Sequence, residues 1–494
     1  MAADPVPAGP ENNASAATLE VSLWTKLFYG FGSVAYGVKD NGFSFFLLFY
    51  YNQVLGLPHA WVGFGIMITL LFDAISDPLV GYVSDNWHSR WGRRHPFMYA
   101  SAVPVGIGFW LLFSPPDGLE GGSLFAWFLV LAIAVRTLIT LYEIPSSSLV
   151  AELTGDYDQR TSMMSFRYFF GWTGGLTMSV VAYTFFFVAT PEYPTGQLNP
   201  AGYDSYAMAC GALITFAILV SALGTHDRIP TLQPPPPAQP FDARRVAREL
   251  RETLGNHSFL VLFVAGIFAA TAAGLTAALN IYFNTYFWGL SAGQISMLTA
   301  AVFISAFVGL LVTPVLSARL GKKKAALLTV GLAITFSPMP MVLRLLGWFP
   351  ENGSPELLPL LMAFSVLDVS FIIMAGVLVS SMVADVVEES EIRTGRRSEG
   401  TFFAARSFAQ KAVSGIGVWG STWILTFVEF PLNATTPADV SPEILRDLAL
   451  TYLPTLLLLY LGFVGFLAAY RISRESHAEH LDTLAARRTD SQPS

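Results

Sequence analysis

Two aspartates, Asp73 and Asp77, lie four residues apart in a segment, 61–85, that is otherwise apolar enough to cross a lipid bilayer. On a helix, side chains at this spacing share one face, with their Cβ atoms about 5–6 Å apart. Because each charge in hydrocarbon costs at least about 2.5–3.5 kcal/mol, such a pair requires a partner. We expect that partner to be a metal cation, a proton or a basic side chain. Basic candidates at similar depth are Lys39, Arg136, Arg167 and Lys411. The pattern is typical of an ion-coupled carrier.

Two hydroxyl groups, those of Ser76 and Thr140, are predicted to join the aspartates in a site made only of oxygen ligands. Oxygen ligands suit a hard cation such as sodium and do not suit zinc or copper, whose sites favour His and Cys. Sodium bound by Asp73 and Asp77 is therefore one prediction. Repulsion and desolvation also favour protonation of the pair as a coupled unit, so a proton is the other predicted coupling ion. We expect no further cofactor.

More ionisable residues fall in the same part of the chain. Lys39 and Asp40 are adjacent near the centre of the first apolar segment, and Glu143 follows Thr140 in the fourth. Neighbouring side chains on a helix point about 100° apart, and we expect Asp40 to face inward. A structural salt bridge, or a side chain that extends to the membrane interface, is the alternative for each of these charges.

Lys411 lies about eleven residues into the eleventh apolar segment, and its ammonium group needs an acidic partner. We expect it to reach across a cavity towards Asp73, Asp77 or Asp40, which would connect the two parts of the molecule. The alternative is that it neutralises Asp368 on the tenth segment.

These side chains must be positioned by elements that span a membrane. The 494 residues are 53% hydrophobic and 13% charged, about half the ~25% charge of a soluble domain. Segments of the ~17–25 apolar residues that span a bilayer occur at 24–53, 60–84, 96–114, 123–151, 162–190, 205–224, 258–288, 291–318, 323–347, 355–384, 400–431 and 446–473. The sequence therefore predicts an all-α membrane protein with twelve transmembrane helices.

A polar segment with four consecutive prolines, 234–237, divides the predicted helices six plus six. Each half carries a loop of glycine and basic residues after its second helix, at 89–94 and 318–324, which suggests that the halves are related. Parallel six-helix halves around a midplane cavity are the arrangement of major facilitator carriers. The expected order is an N-terminal tail, a first half, a central loop, a second half and a C-terminal tail, at 1–23, 24–224, 225–257, 258–473 and 474–494.

Lys and Arg residues concentrate in alternate connections, after the second, sixth, eighth and tenth helices. By the positive-inside rule these connections are cytoplasmic, which also places both termini in the cytoplasm. Residues 1–20 lack the basic and apolar regions of a cleaved signal peptide, so we expect the first helix to direct the chain to the cytoplasmic (inner) membrane. The single cysteine, Cys210, excludes an internal disulfide. No basic stripe points to nucleic acid as a partner, and we expect a monomer.

Several motifs occur in the order found in a known transporter family. They are Tyr29-Gly30 with Lys39-Asp40, Phe49-Tyr50-Tyr51, Asp73-Ala74-Ile75-Ser76-Asp77-Pro78, Ser89-Arg90-Trp91-Gly92-Arg93, Met382-Val383-Ala384-Asp385 and Thr394-Gly395-Arg396-Arg397. Through most of its length the chain resembles the glycoside–pentoside–hexuronide:cation symporter family, which includes the melibiose carrier. The resemblance implies the major facilitator fold, symport of a sugar-like solute and no enzymatic reaction.

The resemblance also implies roles for individual residues. The family's cation site is matched by Asp73, Ser76, Asp77 and Thr140. Its sugar-binding polar residues are matched by Asp40, Glu143 and Arg167, and lysines near that site and in the coupling region by Lys39 and Lys411. Three positions depart from the melibiose carrier: Ser76 replaces an asparagine, Glu143 an aspartate and Ser147 a stacking tryptophan.

We therefore expect a symporter that imports a sugar, glycoside or related small polar solute with sodium or a proton, by alternating access between its halves. A sodium-dependent lysophospholipid-type carrier, which shares the acids of the second helix, is the alternative. An intramembrane metal-dependent enzyme would use Asp73 and Asp77 to hold magnesium, but it generally needs a second acidic cluster at similar depth. The nearest candidates, Glu388, Glu389 and Glu391, are predicted to lie beyond the tenth helix. A sensor would need a soluble output domain, for which the loops are too short.

Overall fold

The regular structure of the described residues is entirely helical. The computed structural model describes residues 21–154, 156–232, 255–394 and 399–472. Over these ranges the helices form twelve segments, numbered here α1 to α12. The prediction of an all-α protein with twelve helices is confirmed.

The helices are assigned to two halves in chain order. The first half contains α1 (23–54), α2 (His59–Asp85), α3 (His95–Leu112), α4 (Gly121–Leu153), α5 (Tyr157–Val181, continued by the π-helical turn Ala182–Phe186) and α6 (Pro200–Gly224). The second half contains α7 (His257–Tyr282, continued by the π-helical turn Phe283–Phe287), α8 (Ala292–Leu320), α9 (Lys322–Phe336 and Met339–Leu345), α10 (Leu357–Thr394), α11 (Glu399–Phe427) and α12 (Pro442–Ala468).

Eight helices of the described chain are long and apolar enough to cross a bilayer by length and composition: α2, α4, α6, α7, α8, α9, α10 and α12. The other four are weaker by this criterion because α1 is interrupted, α3 is short, and α5 and α11 carry more polar residues. Polar helices are stable inside a bundle where neighbouring helices cover them. Each of these four packs against other helices.

α1 is interrupted where its sequence is rich in glycine. Its pieces are Leu23–Phe31, Val34–Asn41, the π-helical turn Gly42–Phe46, Leu47–Phe49 and a second π-helical turn, Tyr50–Val54. At Gly32 a Cβ atom would lie 1.7 Å from the Tyr142 hydroxyl oxygen of α4 and 2.5 Å from the Ser221 Cβ of α6, so a larger residue would require these side chains to move. π-Helical turns are frequent at functional sites. Here the first one begins two residues after Asp40.

Several helices begin where the sequence provides a cap. The Asn199 side chain accepts a hydrogen bond from the backbone N–H of Ala201 at the start of α6. Ser291 and Gln294 form a capping box at the start of α8, in which each side chain accepts from the backbone of the other. Such caps satisfy N–H groups that have no partner within the helix.

α10 continues three turns further than its apolar segment. It was predicted over 355–384 but ends at Thr394. The expectation that Glu388, Glu389 and Glu391 lie beyond this helix is therefore wrong. Hydropathy marks only the part of a helix that can face lipid, whereas this extension is polar and bonded to other helices. In it, Asp385 pairs with Lys322 of α9 at 2.5 Å, and Glu389 accepts from Asn256 at 3.3 Å.

Small residues allow close helix crossings. At Gly211 of α6 a Cβ atom would lie 2.4 Å from the Gly106 carbonyl oxygen of α3, and the reverse contact is equally close. At Gly63 of α2 a Cβ atom would lie 2.4 Å from the Thr422 hydroxyl oxygen of α11. Backbone approach through small residues is the usual basis of helix packing in membranes. The halves meet through α2 with α11, α5 with α8, and α1 with α7.

A buried polar cluster joins the two halves at the end of the molecule opposite residues 21 and 472. We call it the end seal; its members are Asn52, Gln53, Gln197, Tyr282, Thr285 and Tyr286. Tyr282 donates to Asn52 at 2.7 Å, and Tyr286 donates to Gln53 at 3.1 Å. Gln197 donates to Thr285 at 3.1 Å. The first three residues belong to the first half and the last three to the second, so the molecule is closed at this end.

Candidate functional site

The paired aspartates lie on the face of α2 that packs against α4. Asp73 is buried, whereas Asp77, one helical turn further on, is half-buried. Pro78 follows directly, and because proline has no N–H, the carbonyl of Ala74 receives no helical hydrogen bond from it. This carbonyl is a further oxygen acceptor between the two carboxylates.

Asp73 forms an ion pair with Arg136 of α4, in which the guanidinium Nη1 contacts Oδ2 of the carboxylate. Both side chains are buried. One of the basic partners that the sequence left open is therefore identified. The second oxygen of Asp73, Oδ1, is buried without a hydrogen-bond partner among the described residues, and so is Nε of Arg136.

The two hydroxyl groups predicted for the cation site have different hydrogen-bond partners. Thr140 of α4 donates to Oδ1 of Asp77 at 2.9 Å and so brings this carboxylate to α4. The Ser76 hydroxyl makes a long contact, 3.4 Å, with the backbone carbonyl of Asp73 on its own helix. The donor set around Asp73 and Asp77 therefore suits a hard cation by type. A guanidinium, however, already contacts one carboxylate.

Arg167 of α5 is the centre of a second polar cluster. Its guanidinium donates to the Ser146 hydroxyl at 3.0 Å and to the backbone carbonyl of Glu143 at 3.2 Å, both on α4. The guanidinium carbon lies 5.8 Å from the ring centre of Tyr29 and 5.1 Å from that of Tyr36, both on α1. Arg167 therefore connects α1, α4 and α5, and it is buried.

Asp40 and Lys39 of α1 lie beside each other and have opposite exposures. The Asp40 side chain is 57% exposed, that of Lys39 only 5%, and Lys39 Nζ lies 2.5 Å from Asp40 Oδ1. The lysine therefore fixes the aspartate while leaving it accessible. Tyr36 lies one helical turn before Asp40, so the two side chains share a face of α1.

α4 carries both clusters on one face. Arg136, Thr140, Glu143 and Ser147 are spaced by four, three and four residues, the spacing of a single helical stripe. Arg136 and Thr140 contact the aspartates of α2, whereas the backbone of Glu143 contacts Arg167. Ser147, where the resemblance implies an aromatic ring, donates to the carbonyl of Ile144 on its own helix at 2.8 Å.

The second half contains Lys411, which was predicted to reach across the cavity, and Asp368, its alternative partner. Lys411 falls on α11, and its side chain lies outside the described residues. The alternative partner for it, Asp368 of α10, has Oδ1 buried without a hydrogen bond from any described residue.

Three aromatic residues that contact Arg136 and Arg167 were not among the site residues predicted from the sequence. Phe43 lies beneath Arg136, with 4.7 Å between its ring centre and the guanidinium carbon. Tyr29 and Tyr36 contact Arg167. Together with Asp40 they are spaced by seven, four and three residues, a helical stripe that the sequence shows. In an apolar helix, however, an aromatic stripe is usually attributed to packing.

Known proteins with a similar sequence or structure include several transporters. A family model described as MFS/sugar transport protein matches residues 28–474. An uncharacterized symporter of Synechocystis is 27% identical over 468 residues, which cover 80% of this chain and 84% of that protein. An isoprimeverose transporter of Lactiplantibacillus pentosus is 23% identical, with 80% and 78% covered. Among solved structures, a bacterial homologue of the human lysosomal transporter Spinster matches 93% of this chain and 97% of its own, with a TM-score of 0.60 and 14% identity.

Proposed function

Because the chain belongs to the MFS/sugar transport protein family, we propose that it is a cation-coupled secondary symporter for a sugar, glycoside or related small polar solute. Membership makes it a multi-pass membrane transport protein of the major facilitator superfamily and not an enzyme. The solute, the coupling ion and the direction of transport are the proposal.

The observation that carries the proposal is that α4 contacts both the acidic pair of α2 and the polar cluster around Arg167. Symport requires that binding of the ion changes the affinity for the solute, and the reverse, through an element that both contact. Thr140 and Glu143 are less than one turn apart on α4. A shift of α4 caused by a cation at Asp77 therefore moves the backbone carbonyl that accepts from Arg167.

The solute cluster favours a hydroxylated ligand. Asp40 presents an exposed carboxylate beside the cluster, and carboxylates accept hydrogen bonds from sugar hydroxyl groups. Arg167 supplies N–H donors, but its contacts with Ser146 and Glu143 already use two of them. A lysophospholipid would place a phosphate near Asp40 and Glu143, whose charges repel it. Sodium and a proton both remain candidates for the coupling ion.

Rocking of the two halves moves the solute across the membrane in this proposal, with import into the cytoplasm from outside. The end seal then closes the external side, since both termini and the central loop, 225–257, are cytoplasmic. We place the carrier in the inner membrane as a monomer. Lys411 takes part in the transition between states, and Lys39 holds Asp40 in position.

The substrate is tested by thermal stabilisation of the purified protein against glycosides, pentoses, uronates and lysophospholipids, with sodium present at two pH values. We expect saturable stabilisation by a sugar-like compound that is lost in Arg167→Ala. Stabilisation by lysophospholipids alone, also lost in that variant, would overturn the sugar assignment.

Coupling is tested in proteoliposomes with the compound so identified. Asp73→Asn and Asp77→Asn should abolish uphill uptake while some solute binding remains, because they remove cation ligands and not solute contacts. Asp447→Asn, at an exposed carboxylate near the start of α12, is the matched control and should behave as wild type. Cation-stimulated uptake of normal size in either α2 variant would show that the cation site is misassigned.

A further inference from the structure

Arg136 is held at the α2 aspartates from two sides. Its guanidinium contacts Asp73, and the ring of Phe43 lies 4.7 Å from the guanidinium carbon. The residue is 7% exposed, and arginine keeps its charge in any such environment. A permanent positive charge therefore lies in the region where a bound cation would neutralise Asp73.

We propose that Arg136 is the cation-selecting residue of this carrier: it acts as a tethered cation on Asp73 and excludes sodium from the α2 site. The inference rests on the proposed function only in taking α2 as the cation site. It concerns which ion that site accepts and does not depend on which solute is carried.

Charge is the first reason for exclusion. A sodium ion on the remaining Asp73 oxygen would lie on the order of 5 Å from the guanidinium on the other oxygen, close enough for strong repulsion. At an effective dielectric constant of about 20, two unit charges at that distance repel enough to weaken binding on the order of 100-fold. Arg136 is also covalently attached, so its effective concentration at Asp73 is high compared with that of a free ion.

The donor set is the second reason. Hard cations bind through several oxygens at once, and here Arg136 already occupies one oxygen of Asp73. Removing Arg136 frees Asp73 Oδ2 and leaves a buried carboxylate without its counter-charge. Because an unpaired buried charge is strongly unfavourable, such a variant should accept sodium in its place.

The experiment measures sodium binding directly and uses no solute. Purified full-length protein in detergent is titrated with sodium chloride against choline chloride at constant ionic strength, and thermal stabilisation and binding of radioactive sodium are recorded. We expect Arg136→Ala to show a saturable sodium effect and wild type to show none over the same concentration range, because Arg136 weakens sodium binding on the order of 100-fold. Asp73→Asn added to that variant should abolish the effect.

Two control variants are needed. One keeps a positive charge near Asp73, and the other removes an arginine far from it. Arg136→Lys retains a cation near Asp73 and should stay insensitive to sodium. Arg446→Ala removes an exposed arginine on α12 and should also behave as wild type. Saturable sodium binding to wild type, or a folded Arg136→Ala that binds no sodium, overturns the proposal. If Arg136→Ala does not fold, Arg136→Gln, which also removes the charge but keeps a longer side chain, takes its place in the same titration. Failure to find a sugar substrate changes none of these outcomes.

Discussion

Gln53 is the residue of the end seal whose loss should most directly shift the balance between conformations. Its Nε2 donates to the Pro431 carbonyl at 3.0 Å, and its Oε1 accepts from the Tyr286 hydroxyl at 3.1 Å. Both partners belong to the second half, and Gln53 is buried. Gln53→Ala removes these two hydrogen bonds, together with a longer one from the Ala434 N–H to Oε1 at 3.4 Å, and leaves the Pro431 carbonyl without this donor.

The expected magnitude follows from those two bonds. A typical hydrogen bond contributes about 0.5–1.5 kcal/mol net, so the closed end loses about 1–3 kcal/mol relative to a state in which these groups meet water. That difference changes the ratio of closed to open molecules about 5–150-fold. A minor open state should therefore become readily detectable.

Spin labels on the two halves at this end can measure the change. Cys210 is buried and is the only cysteine, so Cys210→Ser gives a background in which Asp117→Cys and Glu351→Cys are labelled uniquely. Both positions are exposed, in the connections α3–α4 and α9–α10. Double electron–electron resonance measures the distance between the two spin labels. In Gln53→Ala it should show an additional population at longer distance.

The matched control is Gln294→Ala, which removes a glutamine of the second half that caps α8 and does not join the halves. It should leave the distance distribution unchanged. An unchanged distribution in Gln53→Ala as well would show that the seal does not hold this end closed.

Three further outcomes can be checked separately. Arg167→Lys should lose solute-dependent stabilisation almost as fully as Arg167→Ala, because a lysine cannot reproduce the planar fork that donates to two groups of α4; full rescue by lysine would contradict this. Gly211→Ala should lower the free energy of unfolding by about 1–3 kcal/mol through overpacking, since its Cβ would lie 2.4 Å from the Gly106 carbonyl oxygen. Gly465→Ala, with nothing within 4 Å, should not; equal melting temperatures would refute the close crossing. Reporter proteins fused after Gly121 and Asn433 should be external, and those at 234 and the C-terminus internal; one inverted reporter would refute the topology.

The sequence alone was sufficient for the fold class because hydropathy is a local property. Each apolar segment long enough to span a bilayer became a helix, and the caps at Asn199 and Ser291 are also local. Hydropathy failed at α10, where 385–394 continues as a polar helix. That extension is bonded to Lys322 and Asn256, which are distant in sequence.

The sequence also determined that Asp73 and Asp77 share a helix face and need a positive partner, since both facts follow from helix periodicity and the cost of a buried charge. It did not determine which partner, because four basic residues had similar predicted depth. The choice of Arg136 depends on the rotation of α2 against α4, which only packing decides. The end seal joins residues more than two hundred positions apart, such as Gln53 and Tyr286. Such contacts exist only once the two halves have met in one particular conformation, and no local pattern records that arrangement.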